Sequence, residues 1–144
     1  YCLMPNHFHL LIKQKLIDGI DRFMSSLGTR YTTFFNKKYK RFGPACQAVY
    51  KAVLIDSDEQ LLYLTSYIHR NPLDKILASQ GESLQSYLSQ PSSLPEYLGQ
   101  RKTEWVHPEE ILSYFSKTNP QLIYQNFIEQ TNDYSLIHKA IIDE

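Results

Sequence analysis

Apolar side chains recur at helical spacing throughout residues 16–40, and this pattern constrains the fold more than any other feature of the sequence. A stripe with a period of three to four residues is one face of an amphipathic helix. Gly28 weakens this helix near its middle, and Gly43-Pro44 provides a stop. We therefore predict one long helix, whose apolar stripe consists of Ile17, Ile20, Phe23, Met24, Leu27, Tyr31, Phe34 and Phe35.

Two segments on either side of this helix alternate with a period of two, which indicates β-strands. Residues 1–12 open without a turn or a cap, and Phe8, Leu10 and Ile12 alternate with their neighbours. Residues 45–55 are rich in small, aromatic and β-branched side chains and contain no breaker. We predict a strand in each segment, and hence a fold of the α+β class.

A second helix is predicted after the second strand. The sequence DSDE at residues 56–59 supplies an N-cap and an acidic first turn. The helix runs to about Arg70, where Asn71-Pro72 stops it.

The remainder of the chain has the pattern of a helical tail. Short helix-like pieces follow one another, and HP at residues 107–108 and NP at residues 119–120 each open a helix. With 144 residues, of which 42% are apolar, the chain can bury one main core. We predict a main domain over residues 1–78 and a helical tail over residues 79–144.

The charges are sorted along the chain, although the net charge is zero. Residues 22–55 contain seven bases and no acid, whereas residues 56–144 contain 13 acids and six bases. Aromatic side chains lie among the bases of the first segment, and this mixture suits phosphate contacts and base stacking on single-stranded nucleic acid. A solvated charged surface is the alternative explanation. The candidate DNA contacts are a basic strip, consisting of Arg30, Lys37, Lys38, Lys40, Arg41 and Lys51, together with Arg70. For Arg70, a favourable charge at the C-terminus of its own helix is the alternative.

His7 and His9 lie two residues apart in the first predicted strand. Alternate residues of a strand project from the same face, so the two imidazoles can share one divalent cation. An ordinary polar strand face is the alternative, and the pair alone does not decide between them.

Tyr67 and Asn71 lie four residues apart at the end of the second helix, so that their phenol and carboxamide face the same way. A phenol with a pKa near 10 is a poor nucleophile at neutral pH, and a phosphodiester repels it. A cation held by two imidazoles and an amide oxygen would withdraw charge from a phosphate beside the phenol. The products of attack would be a 5′-phosphotyrosine and a free 3′-hydroxyl. A buried tyrosine with an asparagine cap is the alternative.

Four stretches of the sequence, taken together, resemble the HUH single-tyrosine transposases, especially the REP-associated tyrosine transposase branch. In order, they are YCLMPNHFHLLI, RYTTFFNKKYKRFG, QAVYKAVLID and YIHRNP. Their order and spacing both match the family. The later stretches TEWVHPEEILSYF and YQNFIEQ are similar to the C-terminal helical tail of the same branch.

The resemblance implies a ferredoxin-like antiparallel sheet flanked by helices, of which this sequence lacks the N-terminal strand and helix, followed by a helical C-terminal tail. It makes residues 1–78 the catalytic domain, His7, His9 and Asn71 the metal ligands, and Tyr67 the nucleophile. The implied cofactor is Mg²⁺ or Mn²⁺. The implied activity is nicking and strand transfer on single-stranded or hairpin DNA. Relatives act as monomers or dimers, so the resemblance leaves open whether this protein forms a homodimer.

Two other functions stay open at the level of sequence. One is a truncated or domesticated remnant that binds DNA hairpins without cutting them. The other is a small metal-binding or RNA-binding domain. Neither a membrane-spanning apolar run nor a signal peptide is present, so we expect a cytoplasmic protein without a membrane partner. Cys2 and Cys46 lack the spacing of a disulfide framework or a zinc site.

Overall fold

The structure is a computed structural model that describes residues 1–46, 49–77 and 91–131, with the backbone alone for residues 72–77. The chain forms two compact units, one from Tyr1–Leu11 with Leu54–Glu144, and the other from Ile12–Val53. The predicted boundary between residues 78 and 79 lies outside the described residues. Helices combine with a small antiparallel sheet, so the fold is of the α+β class.

The first unit begins with a two-stranded hairpin. Strands β1 (Cys2–Leu3) and β2 (Phe8–His9) are antiparallel and pair Cys2 with His9 and Leu3 with Phe8. The Met4 N–H donates to the carbonyl of His7 at 2.9 Å and closes the turn. The prediction of a single strand through residues 1–12 is therefore wrong. Pro5-Asn6 is a favourable turn sequence that the alternating pattern concealed.

The other edge of β1 is lined by residues 91–93. Cys2 forms a bridge with Ser92, and the Leu3 N–H donates to the carbonyl of Pro91 at 2.9 Å. Residues 91–93 are thereby bonded to the hairpin. Strand β1 has partners on both sides, and Cys2 is completely buried between them. This burial raises the pKa of the Cys2 thiol to about 11.

The second unit contains helix α1 (Gly19–Tyr39), as the apolar stripe predicts. The helix continues through Gly28 and ends where Lys40 adopts a left-handed conformation, with φ of 51°. Gly43, with φ of 91°, follows shortly after, and its carbonyl accepts a hydrogen bond from the Asn36 side chain at 2.7 Å. No residue of α1 is buried, so its apolar stripe is at most partly covered.

The predicted second strand is absent from the described part of residues 45–55. Residues 49–55 lie outside any helix or strand, and Val49 and Leu54 are both at least 80% exposed. An extended segment becomes a strand only when a neighbouring backbone completes its hydrogen bonds. The sheet among the described residues consists of β1 and β2 alone, and it does not supply that neighbour. The prediction is wrong because β-propensity depends on the tertiary partner.

Helix α2 (Asp58–Leu77) begins as predicted. The Ser57 hydroxyl accepts from the Gln60 N–H at 3.1 Å, and the Gln60 side chain accepts from the Asp56 N–H at 2.8 Å. These reciprocal bonds satisfy backbone donors at the start of the helix. The predicted stop at Asn71-Pro72 is wrong, because the helix continues through both residues. A proline inside a helix removes one backbone hydrogen bond but does not necessarily end it.

Among residues 91–131, the first unit contains the helices α3 (Leu94–Tyr97), α4 (Glu109–Leu112) and α5 (Pro120–Gln130). The helix predicted from residue 107 is confirmed as α4, although it is shorter than its pattern indicates, and the helix predicted at residue 120 is confirmed as α5. Their buried side chains form the core with partly buried side chains of α2. The buried members are Leu94, Tyr97, Ile111, Leu112, Tyr124 and Ile128.

An ion pair reinforces the start of this helical region. The Arg101 guanidinium donates to the two Glu96 carboxylate oxygens at 2.6 and 2.7 Å, and also to the Ser92 carbonyl at 2.6 Å. The Glu96 side chain is only 2% exposed, whereas that of Arg101 is 42% exposed. Burial alone would raise the pKa of Glu96, but the hydrogen bonds from Arg101 and Thr103 hold it below its ordinary value of 4.5.

We expect Arg101→Met to lower the free energy of unfolding by about 2 kcal/mol at neutral pH. The variant removes the guanidinium from the buried Glu96 carboxylate, and the effect is limited because Arg101 is half-exposed. A carboxyl with a lowered folded-state pKa contributes stability above its unfolded value, and this contribution disappears as pH falls through the folded value. The difference in the free energy of unfolding between wild type and Arg101→Met should therefore become smaller below pH 4.5. Urea unfolding at several pH values measures this difference. Lys102→Met, a change at the neighbouring exposed residue, is the control. A difference that does not depend on pH would contradict this account.

No helix in the described ranges is both long enough and apolar enough to cross a bilayer.

Candidate active site

The two histidines lie side by side at the end of the hairpin. His9 belongs to β2, and His7 closes the turn immediately before it. Their ring centroids are 5.0 Å apart and their planes are nearly perpendicular. Both side chains are half-buried, and the Nε2 atom of His7 is itself buried.

The turn residue Asn6 orients His7. The Asn6 side-chain oxygen lies 2.7 Å from His7 Nδ1, so Nδ1 carries the proton and donates it. In a neutral ring with this orientation, Nε2 is the nitrogen that would bind a metal. This role of Asn6 was not predicted, although the turn sequence Pro5-Asn6 could have suggested it.

Helix α2 brings Tyr67 and Asn71 to the same histidine. The rings of His9 and Tyr67 are 6.0 Å apart in an edge-to-face arrangement. The Asn71 side-chain nitrogen lies 3.1 Å from His9 Nε2, and Asn71 is only 8% exposed. Tyr67 and Asn71 thus each contact His9, and His7 is joined to them through its own ring contact with His9.

The spacing of His9 and Asn71 suits two ligands of one cation. Adjacent ligands of an octahedral ion, each about 2.1 Å from the metal, lie about 3.0 Å apart. The hydrogen bond between Asn71 Nδ2 and His9 Nε2 is 3.1 Å long, so the two side chains lie close enough to approach one cation. Rotating the amide by 180° exchanges its nitrogen for its oxygen, a choice that the hydrogen-bond partner decides. With a cation in place of the hydrogen bond, Asn71 would present Oδ1 beside His9 Nε2.

A cation at this place would depend on more than protein acids and imidazoles. In the described ranges, no three histidine, cysteine, aspartate or glutamate side chains come together in a way that could hold a metal ion. His7 and His9 would supply two ligands. The remaining positions would be taken by the Asn71 amide and by water or phosphate oxygens, which are ligands that Mg²⁺ prefers.

His69, also in α2, points away from these residues into the core. It is 2% exposed, with Nδ1 2.7 Å from the Tyr124 hydroxyl and Nε2 3.0 Å from the Ser93 hydroxyl. Burial lowers its pKa well below the ordinary 6.5, so the ring is neutral. His69 therefore lies off the face of Tyr67, and its ring is enclosed.

Arg70 is half-buried and contacts the end of α5. Its guanidinium donates to the carbonyl of Ile128 at 3.3 Å and to that of Thr131. These carbonyls belong to the last turn of α5 and its cap, where a cation is favourable. The structure thus gives Arg70 an intramolecular partner, and its role in DNA binding stays a prediction.

The basic strip belongs to the second unit, where all of its members are exposed. Lys38 lies over the rings of Phe34 and Tyr39 at 5.8 and 5.3 Å, and Arg41 lies over Phe35 at 5.3 Å. Phe34 and Tyr39 are 60% and 54% exposed. The end of α1 therefore displays aromatic faces and positive charges together, a combination that binds unpaired nucleotides in other proteins.

Fold and site together define an α+β protein in which two histidines, a tyrosine and an asparagine meet between a hairpin and a helix. No protein-family model, no curated protein and no solved structure matches this chain.

Proposed function

We propose that this protein is a metal-dependent DNA nickase and strand transferase of the HUH single-tyrosine type, acting on single-stranded or hairpin DNA. The observation that carries the proposal is the meeting of the Tyr67 ring and the Asn71 amide at His9, at 6.0 Å between rings and 3.1 Å between atoms. A nucleophile and metal-ligating groups at one place are what phosphodiester cleavage by a phenol requires.

Tyr67 is the nucleophile in this proposal. Its oxygen attacks the phosphorus, the bond from phosphorus to the 3′-oxygen breaks, and the 3′-oxygen gains a proton while the phenol loses one. The DNA 3′ of the cut stays bound through its 5′-phosphate as a phosphotyrosine. Because this link keeps the energy of the broken bond, a later attack by a 3′-hydroxyl rejoins DNA without a nucleotide cofactor.

The cofactor in this proposal is Mg²⁺ or Mn²⁺, held by His7, His9 and Asn71. When bound, it supplies Lewis-acid charge withdrawal from the scissile phosphate. The chain prepares the place itself: the Asn6 side chain orients His7, and β2 fixes the backbone of His9.

DNA is held, in this proposal, by the basic strip and its aromatic neighbours. The strip is exposed and lies in a segment that contains no acid, so it attracts a polyanion in a salt-dependent manner. We further propose that the hairpin β1–β2 belongs to a ferredoxin-like antiparallel sheet, and that the protein acts in the cytoplasm as a monomer or homodimer.

The test is covalent capture of DNA. The protein is incubated with Mn²⁺ and hairpin oligonucleotides labelled at either end, and the products are separated under denaturing conditions. An adduct that carries the DNA 3′ of the cut, together with a released strand ending in a 3′-hydroxyl, supports the proposal, and chelation of the metal should prevent both. Salt-sensitive binding with no adduct would instead identify a DNA-hairpin-binding remnant.

A further inference from the structure

Helix α2 is held from the side opposite to the candidate active site. Residues 67 and 71 lie on one face of the helix, whereas residue 69 is about 200° further around the axis than residue 67. The Tyr67 and Asn71 side chains meet His9, while the His69 ring enters the core. Residues 67–71 thus carry the candidate active site on one face of α2, and on the other face His69, which we call the anchor.

The anchor contacts the region after residue 90 at several points. His69 shares hydrogen bonds with the Tyr124 hydroxyl of α5 at 2.7 Å and with the Ser93 hydroxyl at 3.0 Å. Its ring also packs edge-to-face on Tyr97 of α3, with centroids 4.7 Å apart. Both ring nitrogens therefore have partners from separate segments, and these partners define the direction of the ring.

The next residue, Arg70, adds a second connection to the same helix. Its guanidinium bonds the carbonyls of Ile128 and Thr131 at the end of α5. His69 reaches the first half of α5 through Tyr124, and Arg70 reaches its last turn. Two adjacent residues of α2 are fastened to both parts of α5, which restricts rotation of α2 about its axis.

We propose that His69 is a positioning residue that fixes the rotation of α2 through Tyr124 and Ser93, so that the C-terminal helices hold Tyr67 and Asn71 in line with His9. The inference rests on the proposed function, which it extends from the site to the tail. A phenol oxygen lies roughly 8 Å from the helix axis, so a rotation of about 10° moves it roughly 1.4 Å. A displacement of that size can reduce a reaction rate by on the order of 10²-fold.

The test is Tyr124→Phe, which removes one hydroxyl and retains the ring in the core. The expected result is a decrease of about 10- to 100-fold in the single-turnover rate of adduct formation, with the affinity for hairpin DNA unchanged. Because Asn71 is held by the same turn, Mn²⁺ binding followed by electron paramagnetic resonance should also weaken. His69→Leu should have both effects, and His69→Gln, which keeps a donor and an acceptor, should recover part of the rate.

Ile111→Val and Leu112→Ala are the controls, because both residues lie on α4 in the same core as Tyr124. One control should lose less stability than Tyr124→Phe, and the other should lose more. They should melt earlier and keep the wild-type rate and Mn²⁺ affinity. The inference is overturned if Tyr124→Phe reacts at the wild-type rate, or if the rates of the control variants fall in proportion to their loss of stability. Either result would leave the proposed function standing. If wild type forms no adduct, the proposed function fails, and the Mn²⁺ affinities decide this inference. A wild type that also binds no Mn²⁺ overturns both.

Discussion

Tyr67→Phe is expected to abolish the covalent protein–DNA adduct while DNA binding and stability stay at wild-type levels. The phenol oxygen is the atom that would form the bond to phosphorus, and phenylalanine keeps the ring that packs beside His9. Loss of a nucleophile lowers a rate by on the order of 10³-fold or more. Denaturing electrophoresis of end-labelled hairpin DNA with Mn²⁺ measures the adduct, and fluorescence anisotropy measures the binding.

The matched control is Tyr63→Phe, one turn earlier on α2. Tyr63 is half-buried and packs edge-to-face on Phe127 of α5, with ring centroids 5.8 Å apart. Its replacement should leave adduct formation intact. Equal loss in both variants would mean that hydroxyl groups of α2 matter for the structure and not for the chemistry. An adduct that persists in Tyr67→Phe would remove Tyr67 from the proposal.

His9→Ala is expected to abolish metal-dependent cleavage and leave DNA binding largely intact. His9 contacts the rings of His7 and Tyr67 and the amide of Asn71, so its loss removes a ligand and the common neighbour of the others. Charge stabilisation by a metal is worth several kcal/mol, which corresponds to on the order of 10³-fold in rate. Binding should persist because the phosphate contacts are expected from the basic strip.

Single-turnover cleavage over a range of Mn²⁺ concentrations distinguishes a site that binds Mn²⁺ more weakly from one that no longer binds it. His107→Ala is the control, since His107 is a 74% exposed histidine whose ring nitrogen lies 3.7 Å from Glu109. It should behave as wild type in cleavage and in binding. If His9→Ala loses DNA affinity in proportion to its cleavage rate, then metal binding and DNA binding are not separate tasks in this protein.

Local features of the fold were predictable from the sequence. The apolar stripe of α1 and the cap of α2 at Ser57 depend on neighbours within a few residues, and both are observed. The strand predicted in residues 45–55 depends on a distant backbone partner, which a linear pattern does not reveal. The continuation of α2 through Pro72 has the same origin, because the buried residues just before it are held by tertiary contacts.

The candidate site shows the same division. The i, i+4 spacing of Tyr67 and Asn71 was enough to place them on one face, and their approach to His9 agrees with that geometry. The partners of His69 lie 24 and 55 residues further along the chain, so periodicity could not identify them. A histidine beside a nucleophile is equally compatible with an exposed contact and with a buried anchor until its partners are known.

Two supports of the candidate site meet in one short segment. Residues 91–93 bond to the outer side of β1, and β1 pairs with β2, the strand that contains His9. Ser93 of the same segment bonds to His69 on the helix that carries Tyr67 and Asn71. A change in residues 91–93 would therefore reach both halves of the site at once, through the hairpin and through α2.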